Sequence, residues 1–334
     1  MNAASAAWPS NDLINPTGLF FPNPPPALAM LRQRLLVSSL LIPTLVGLLA
    51  WDHHLGATAP ILLVLCMALA LRLAFELTGL LGQRGLPTTW PLTGIAAASL
   101  VLAGWPGSLW ESLGPRIAEA AALERVAIVF TIVVLGLLLV HALRFREPGH
   151  SLAGLGSDLL VVVYTGLLLV VTAGLRWTPT ADAGYLALGS LVVAAKMGDT
   201  GAYTLGRLFG KKKLCPRLSP AKTWMGAWGA VLGAALGAAV WLEVAAGVLG
   251  PGDASLSASG GPGWLWACLY GAVIGVAGLV GDLCESLMKR DAEVKDSAPL
   301  LPGMGGALDL LDSILYAGPV AWLFWTLWPP GLPG

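Results

Sequence analysis

Gly281-Asp-Leu-Cys-Glu-Ser-Leu-Met-Lys-Arg-Asp-Ala-Glu-Val-Lys-Asp296, continued by Ser297-Ala-Pro-Leu-Leu-Pro-Gly303-Met-Gly-Gly-Ala-Leu-Asp309-Leu-Leu-Asp312, sets a crowd of acids and bases between two apolar runs. The rest of the chain is mostly oil: 56% of its 334 residues are hydrophobic and only 11% are charged. With a mean hydropathy of +0.75, an ordinary soluble domain is excluded and an all-α polytopic membrane protein is expected. Ionisable groups at membrane depth are costly and are kept where they pair or work. Lys plus Arg (19) balance Asp plus Glu (19), so no basic excess points to nucleic acid. The four cysteines have no paired spacing and read as small apolar fillers.

Working outward, a spanning helix needs about 20 mostly apolar residues. Nine segments read as spans: about 35–50, 58–80, 91–105, 126–143, 158–174, 184–204, 224–247, 264–288 and 306–328. With the N-terminus in the cytoplasm, nine crossings put fourteen Lys or Arg residues inside, with two outside and Arg125 at an outer helix end. That bias obeys the positive-inside rule and puts the opening stretch on the cytoplasmic face. The chain then divides into a flexible Pro-rich tail (1–30), N-terminal transmembrane helices (31–183) and a C-terminal region (184–334). The last holds nearly all the hydrophilic chemistry, with cytoplasmic loops at 205–223 and 289–305. Gly229, Gly233 and Gly237 recur every four residues and read as helix-packing positions, which also allow a homodimer. Trp105, Trp110, Trp264, Trp266, Trp325 and Trp328 read as interfacial belt residues.

If residues 270–294 are helical, Asp282, Glu285, Ser286, Lys289, Arg290 and Glu293 share one face. Carboxylates then lie at membrane depth, with cations nearer the cytoplasm, an order that suits a metal ion with a phosphate chain above it. Pro302-Gly303-Met304-Gly305-Gly306 reads as an irregular loop whose N–H groups can approach an anion. Asp309 and Asp312 follow on one helix face, and Asp282 and Asp309 are expected to converge across the hairpin. Such oxygens suit Mg²⁺. The basic loop, with Lys211, Lys212, Lys213, Arg217, Ser219, Lys222 and Thr223, offers donors for phosphate. Asp199 and Lys196, one turn apart, read as an ion pair, as do Arg72 and Glu76.

These residues resemble the CDP-diacylglycerol synthases (phosphatidate cytidylyltransferases). The family signature appears here as Ser286-Leu-Met-Lys289-Arg290, Lys295-Asp296, Pro302-Gly303-Met304-Gly305-Gly306 and Asp309-Leu-Leu-Asp312, preceded by Gly281-Asp-Leu-Cys-Glu-Ser286. A second block is similar over Asp199-Thr-Gly-Ala-Tyr203, Gly206-Arg-Leu-Phe-Gly-Lys211, Leu214-Cys-Pro216 and Ser219-Pro-Ala-Lys-Thr-Trp224. Met304 stands where the family has His and Leu310 where it has Arg; Ala221 and Met225 replace a common Lys and Glu.

The resemblance implies that CTP and phosphatidate from the bilayer give CDP-diacylglycerol and pyrophosphate, in a bacterial inner membrane with the active site facing the cytoplasm. It makes 184–334 the catalytic region, with Asp282, Asp309, Lys289 and Arg290 catalytic. Asp282, Glu285, Asp309 and Asp312 would bind Mg²⁺, with a second cation such as K⁺ allowed. Asp199, Lys211, Ser219, Lys222, Thr223, Ser286, Lys295, Asp296, Gly305 and Gly306 would bind substrate. Two other classes share some of these features. A CTP-dependent lipid-alcohol (polyprenol) kinase would release CDP, and an ion-coupled transporter would spread its acids through midplane spans.

Overall fold

The computed structural model describes residues 27–149, 151–178, 180, 183–249, 263–294, 297–298 and 305–328. The sequence readings at 1–26, Lys295, Asp296 and Pro302-Gly303-Met304 therefore lie outside the described residues.

The described chain is almost entirely helical. Its helices are α1 (Ala27–His54), α2 (Pro60–Gly82), α3 (Trp90–Ala103), the short α4 (Pro115–Glu119), α5 (Ala122–Leu143), α6 (Ser151–Val162), α7 (Leu168–Gly174), α8 (Gly184–Phe209), α9 (Trp224–Leu249), α10 (Gly263–Asp291) and α11 (Ala307–Leu327). A π-helical turn, Val163–Leu167, joins α6 to α7, so the two run on as one rod. Pro at the first or second position starts α2, α3 and α4, where the missing N–H leaves no bond unmade.

Among the described residues, six helices are long and apolar enough to cross a membrane, or seven if α3 and the bent turn Gly107–Leu113 count as one span. All nine segments read as spans from the sequence lie on helices, but α8 is not among the six. In α8 the reason is Lys196 and Asp199, which interrupt the apolar run at the half that lines a cavity.

Residues 205–223 are not a plain loop. The helix continues to Phe209, and β1 (Lys213–Cys215) then pairs antiparallel with β2 (Ser219–Thr223). Thr223 ends that hairpin buried, its Oγ1 accepting from the Gly226 N–H at 3.1 Å, which satisfies an orphan donor in the first turn of α9.

Glycine sets the tightest packing. A Cβ on Gly229 would collide with the carbonyl of Gly201, and one on Gly233 with that of Met197, so α8 and α9 touch backbone to backbone. On α10, Gly271 and Gly275 meet the Ala234 and Ala230 carbonyls of α9 in the same way. The glycine stripe read from the sequence thus closes α8, α9 and α10 within one chain.

The core elsewhere is alanine and leucine, with three buried tryptophans. Trp105 and Trp325 are fully buried and Trp266 nearly so, which corrects the belt reading for those three. The Trp105 indole donates to the Thr58 carbonyl at 2.8 Å, and Trp266 packs against Trp325 edge to face. Trp264 and Trp328 are exposed.

The bundle has two polar ends. At the first, Arg176 donates to Gly56, Trp177 to Ala57, and Arg125 to the carbonyls of Ala103 and Trp105. At the second, Arg84 pairs with Glu293 at 3.0 Å and Arg290 reaches the Leu218 carbonyl, gathering the ends of α2, α10 and the hairpin.

Candidate active site

The acids of the second end are set by helix period and by glycine. Asp282 and Glu285 are three residues apart on α10 and so share a face. Asp312 reaches them from α11 because Gly281 has no side chain: a Cβ there would lie 2.8 Å from the Asp312 carbonyl oxygen. One carboxylate oxygen from each of Asp282, Glu285 and Asp312 lies within 4.8 Å of the others. Glu285 and Asp312 are buried, while the Asp282 side chain is 40% exposed.

Their partners differ. Asp312 Oδ1 accepts from the Ser313 N–H at 2.6 Å. Asp282 Oδ2 is 2.8 Å from Lys222 Nζ, near enough for an ion pair, yet Nζ is not aligned for a hydrogen bond to it. Glu285 Oε2 pairs with Lys289 Nζ at 2.6 Å, whereas Glu285 Oε1 is buried with no hydrogen-bond partner. A lone acceptor next to two further carboxylates is costly by itself. The oxygen-only donor set suits a hard cation, which would relieve both costs.

Asp309 adjoins the cluster through Glu285 and Lys289 but is not one of its three converging acids. It was expected to converge with Asp282, but its Oδ1 accepts from Lys289 Nζ at 2.8 Å. Its Oδ2 accepts from the Gly306 N–H at 2.8 Å, the Ser297 N–H at 3.0 Å and the Ser297 hydroxyl at 2.7 Å. It therefore caps its own helix and fastens the returning chain, and it fixes Lys289 between itself and Glu285. Gly305 takes φ +84°, a left-handed turn that a side chain would strain, and delivers Gly306 to that cap.

Glu76 is the residue the sequence reading undervalued. The expected pair with Arg72 is made at 2.8 Å. The same carboxylate also accepts from the Ala307 and Leu308 N–H groups, at 3.0 and 2.9 Å, so α2 caps the first turn of α11 across the bundle. A buried acid in an apolar helix was the available signal; its long-range partner was not readable from a local pairing. Ser297, bonded to both Asp309 and Glu76, also went unnoticed.

The remaining sequence-predicted residues are scattered around a cavity of about 400 Å³ between α8, α9, α10 and the hairpin. Asp199, Lys222, Thr223 and Asp282 line it, with Arg207 and Tyr203 at the rim and Ile274, Leu279 and Ala230 among its apolar walls. Asp199 pairs with Lys196 at 2.9 Å and accepts from the Ser313 hydroxyl at 3.4 Å. Ser286 is buried in α10; Ser219 lies half-buried on β2; Lys211 is exposed outside the cavity. Arg290 is exposed and directed at the Leu218 and Val294 carbonyls. Glu293 departs from the expected shared face, since α10 ends at Asp291 and Glu293 follows at φ 59°.

A helical bundle with apolar spans, a three-carboxylate cluster and a cation-rimmed cavity at one end defines a polytopic membrane protein with a polar site suited to anionic substrates. The chain belongs to the cytidylyltransferase family, whose sequence pattern matches residues 32–328. It is similar to phosphatidate cytidylyltransferase of Pseudomonas aeruginosa, 39% identical over 174 residues, which are 52% of this chain and 57% of that protein. The enzyme of the same name from Mycobacterium tuberculosis is 31% identical over 183 residues, 55% of this chain and 51% of the relative. That of Synechocystis is 40% identical over 135 residues, 40% of this chain and 41% of the relative. The chain spans about half the length of the curated relatives it matches.

Proposed function

We propose that this protein transfers CMP from CTP to phosphatidate, giving CDP-diacylglycerol and pyrophosphate, at the cytoplasmic face of a bacterial inner membrane. The observation that carries the reading is the cluster of Asp282, Glu285 and Asp312, with Glu285 Oε1 unpartnered, beside a cavity that is cationic at its rim and apolar in its walls. A lipid phosphate needs both surfaces at once. Nine crossings with the N-terminus in the cytoplasm would put this end, which carries most of the basic residues, inside.

Asp282, Glu285 and Asp312 would hold Mg²⁺, which keeps waters and substrate phosphates as its other ligands. When bound, the ion supplies the positive charge that lets two anions approach and steadies the leaving pyrophosphate. The chain's own residues do the rest. Lys222 stands at the cavity wall beside Asp282, and its unaligned N–H groups are available to a phosphate oxygen. Arg207 adds a second cation at the rim. Lys289 is clamped by Glu285 and Asp309, so it acts chiefly by fixing Glu285. No general base is required, because a phosphate monoester, with its second pKa at about 6, is already an anion at neutral pH. This fits a sequence in which Met304 stands where the family pattern has His.

Purified protein with radiolabelled CTP, phosphatidate and Mg²⁺ tests the reading when both products are identified. CDP-diacylglycerol with pyrophosphate is expected; CDP with a phosphorylated lipid alcohol would assign a kinase instead.

A further inference from the structure

Lys196, which looks in sequence like no more than a local partner of Asp199, stands open where charge is most costly. It lies in α8 thirteen residues before Phe209, about 20 Å in from the hairpin end at 1.5 Å per residue. Its Nζ donates to Asp199 Oδ2 at 2.9 Å, and among the described residues that is its only hydrogen bond. An ammonium has three protons to give, so two are left over. The two side chains are nonetheless 42% and 46% exposed. An ion pair half open to hydrocarbon would be costly, which makes water or a polar ligand its neighbour.

The pair is tied to the acid cluster by contact. The Ser313 hydroxyl is 3.4 Å from Asp199 Oδ2 and 3.2 Å from Asp312 Oδ1, so its one proton is shared between two carboxylates. Asp199 also lines the same cavity as Lys222 and Asp282. Lys196 is thus one ion pair and one hydroxyl away from Asp312.

Depth separates the cations of this end. Arg207 follows Lys196 by eleven residues on α8, about 16 Å nearer the hairpin. Lys222 is on the hairpin itself. A soluble triphosphate meets those two first, whereas a lipid phosphate stays tethered to its chains. The cavity wall close to the deep cation is small and apolar: Gly198 and Gly275 both pack on the Ala230 carbonyl, with Ile274 beside them. Such a wall suits the glycerol end of a lipid and offers nothing to a nucleotide.

We propose that Lys196 binds the phosphate of the lipid substrate, held toward it by Asp199, while Lys222 and Arg207 serve the nucleotide. The proposal rests on the function read above and deepens it by assigning one cation to each anion.

The test is a steady-state assay in mixed micelles, with phosphatidate varied at saturating CTP and CTP varied at saturating phosphatidate. Wild type is compared with Lys196→Gln and with Lys196→Gln/Asp199→Asn, which removes both charges and leaves no acid unpaired. Losing a hydrogen bond to a charged group is expected to raise the KM for phosphatidate about tenfold in Lys196→Gln, while the KM for CTP stays put. The double variant should show the same rise, and it serves alone should Lys196→Gln not accumulate. A KM for phosphatidate that is unmoved by Lys196→Gln, or restored in the double variant, would make Lys196 only the counter-ion of Asp199 and overturn its role. An equal rise in both KM values would overturn the division between lipid and nucleotide. Wild type that forms no CDP-diacylglycerol would overturn the function on which the proposal rests.

Discussion

The two polar ends of this bundle use similar residues to opposite effect. At the end where α1 meets α2, Asp52 is fully buried and accepts from the Ile61 N–H at 2.6 Å and from Tyr185. Arg125, also buried, donates to carbonyls left over where α3 breaks. Asp52 and Arg125 each close backbone that a helix end leaves open, which is a structural solution to the cost of buried charge. At the other end three acids face one another, and one of them, Glu285, has a buried oxygen with no hydrogen-bond partner. Chemistry is to be sought where polar groups are gathered and left unsatisfied, not merely where they are buried.

The largest test of that contrast is to neutralise the gathered acids one at a time. Asp282→Asn, Glu285→Gln and Asp312→Asn should each lower CTP-dependent CDP-diacylglycerol formation by about 100-fold or more, since ligands weigh at least as much as their outer shell. Thermal unfolding in metal-free buffer should move the other way for Asp312→Asn, gaining about 1 kcal/mol as like charges are relieved. A variant that kept its activity and lost stability would make the cluster a structural feature like the far end.

Arg125→Met is the mirror experiment. It removes charged hydrogen bonds to the Ala103 and Trp105 carbonyls and should cost about 2 kcal/mol of stability. Turnover per folded molecule should be unchanged, because no described residue at that end lines the cavity. A matching fall in turnover at full folding would join the two ends.

How far the sequence reaches follows the same division. Helices, their approximate limits and the acids of α10 were legible, because apolar length and a period of three to four residues are local properties. The convergence of Asp282 with Asp312 rather than with Asp309 was not. It depends on Gly306, Ser297 and Lys289 claiming Asp309 first, and Ser297 lies twelve residues upstream. Glu76 was visible as an intramembrane acid, but its service to α11 spans 231 residues of sequence. The tryptophans of the last two helices looked interfacial, and only packing around Tyr270 and Phe324 shows Trp266 and Trp325 to be core.

Glu76 sharpens the comparison, because it is a far-end kind of residue placed at the end of the acid cluster. Glu76→Gln keeps an oxygen for one α11 N–H but loses the charge and the Arg72 pair, so about 1 kcal/mol of stability should go. Because α11 carries both Asp309 and Asp312, turnover should also fall, and with no change in the KM for CTP. Partial recovery of turnover in Glu76→Asp would show that the cap acts through helix placement. An unchanged turnover in Glu76→Gln would mean that Asp309 and Ser297 alone hold the helix start.

The smallest effect belongs to the basic hairpin. Lys211, Lys212 and Lys213 are exposed and outside the cavity, unlike Lys222. Exposed charges contribute less than about 1 kcal/mol apiece and act mainly by drawing anions in. Lys212→Ala should therefore raise the KM for CTP only about twofold at low salt, with kcat unchanged. That difference should vanish toward 1 M salt, where the Debye length falls to about 3 Å. Lys222→Ala should behave differently, since its ammonium is at the cavity wall and largely shielded: its defect should persist in salt and appear in kcat. Equal salt sensitivity for the two variants would place Lys222 with the solvated lysines and remove it from the site.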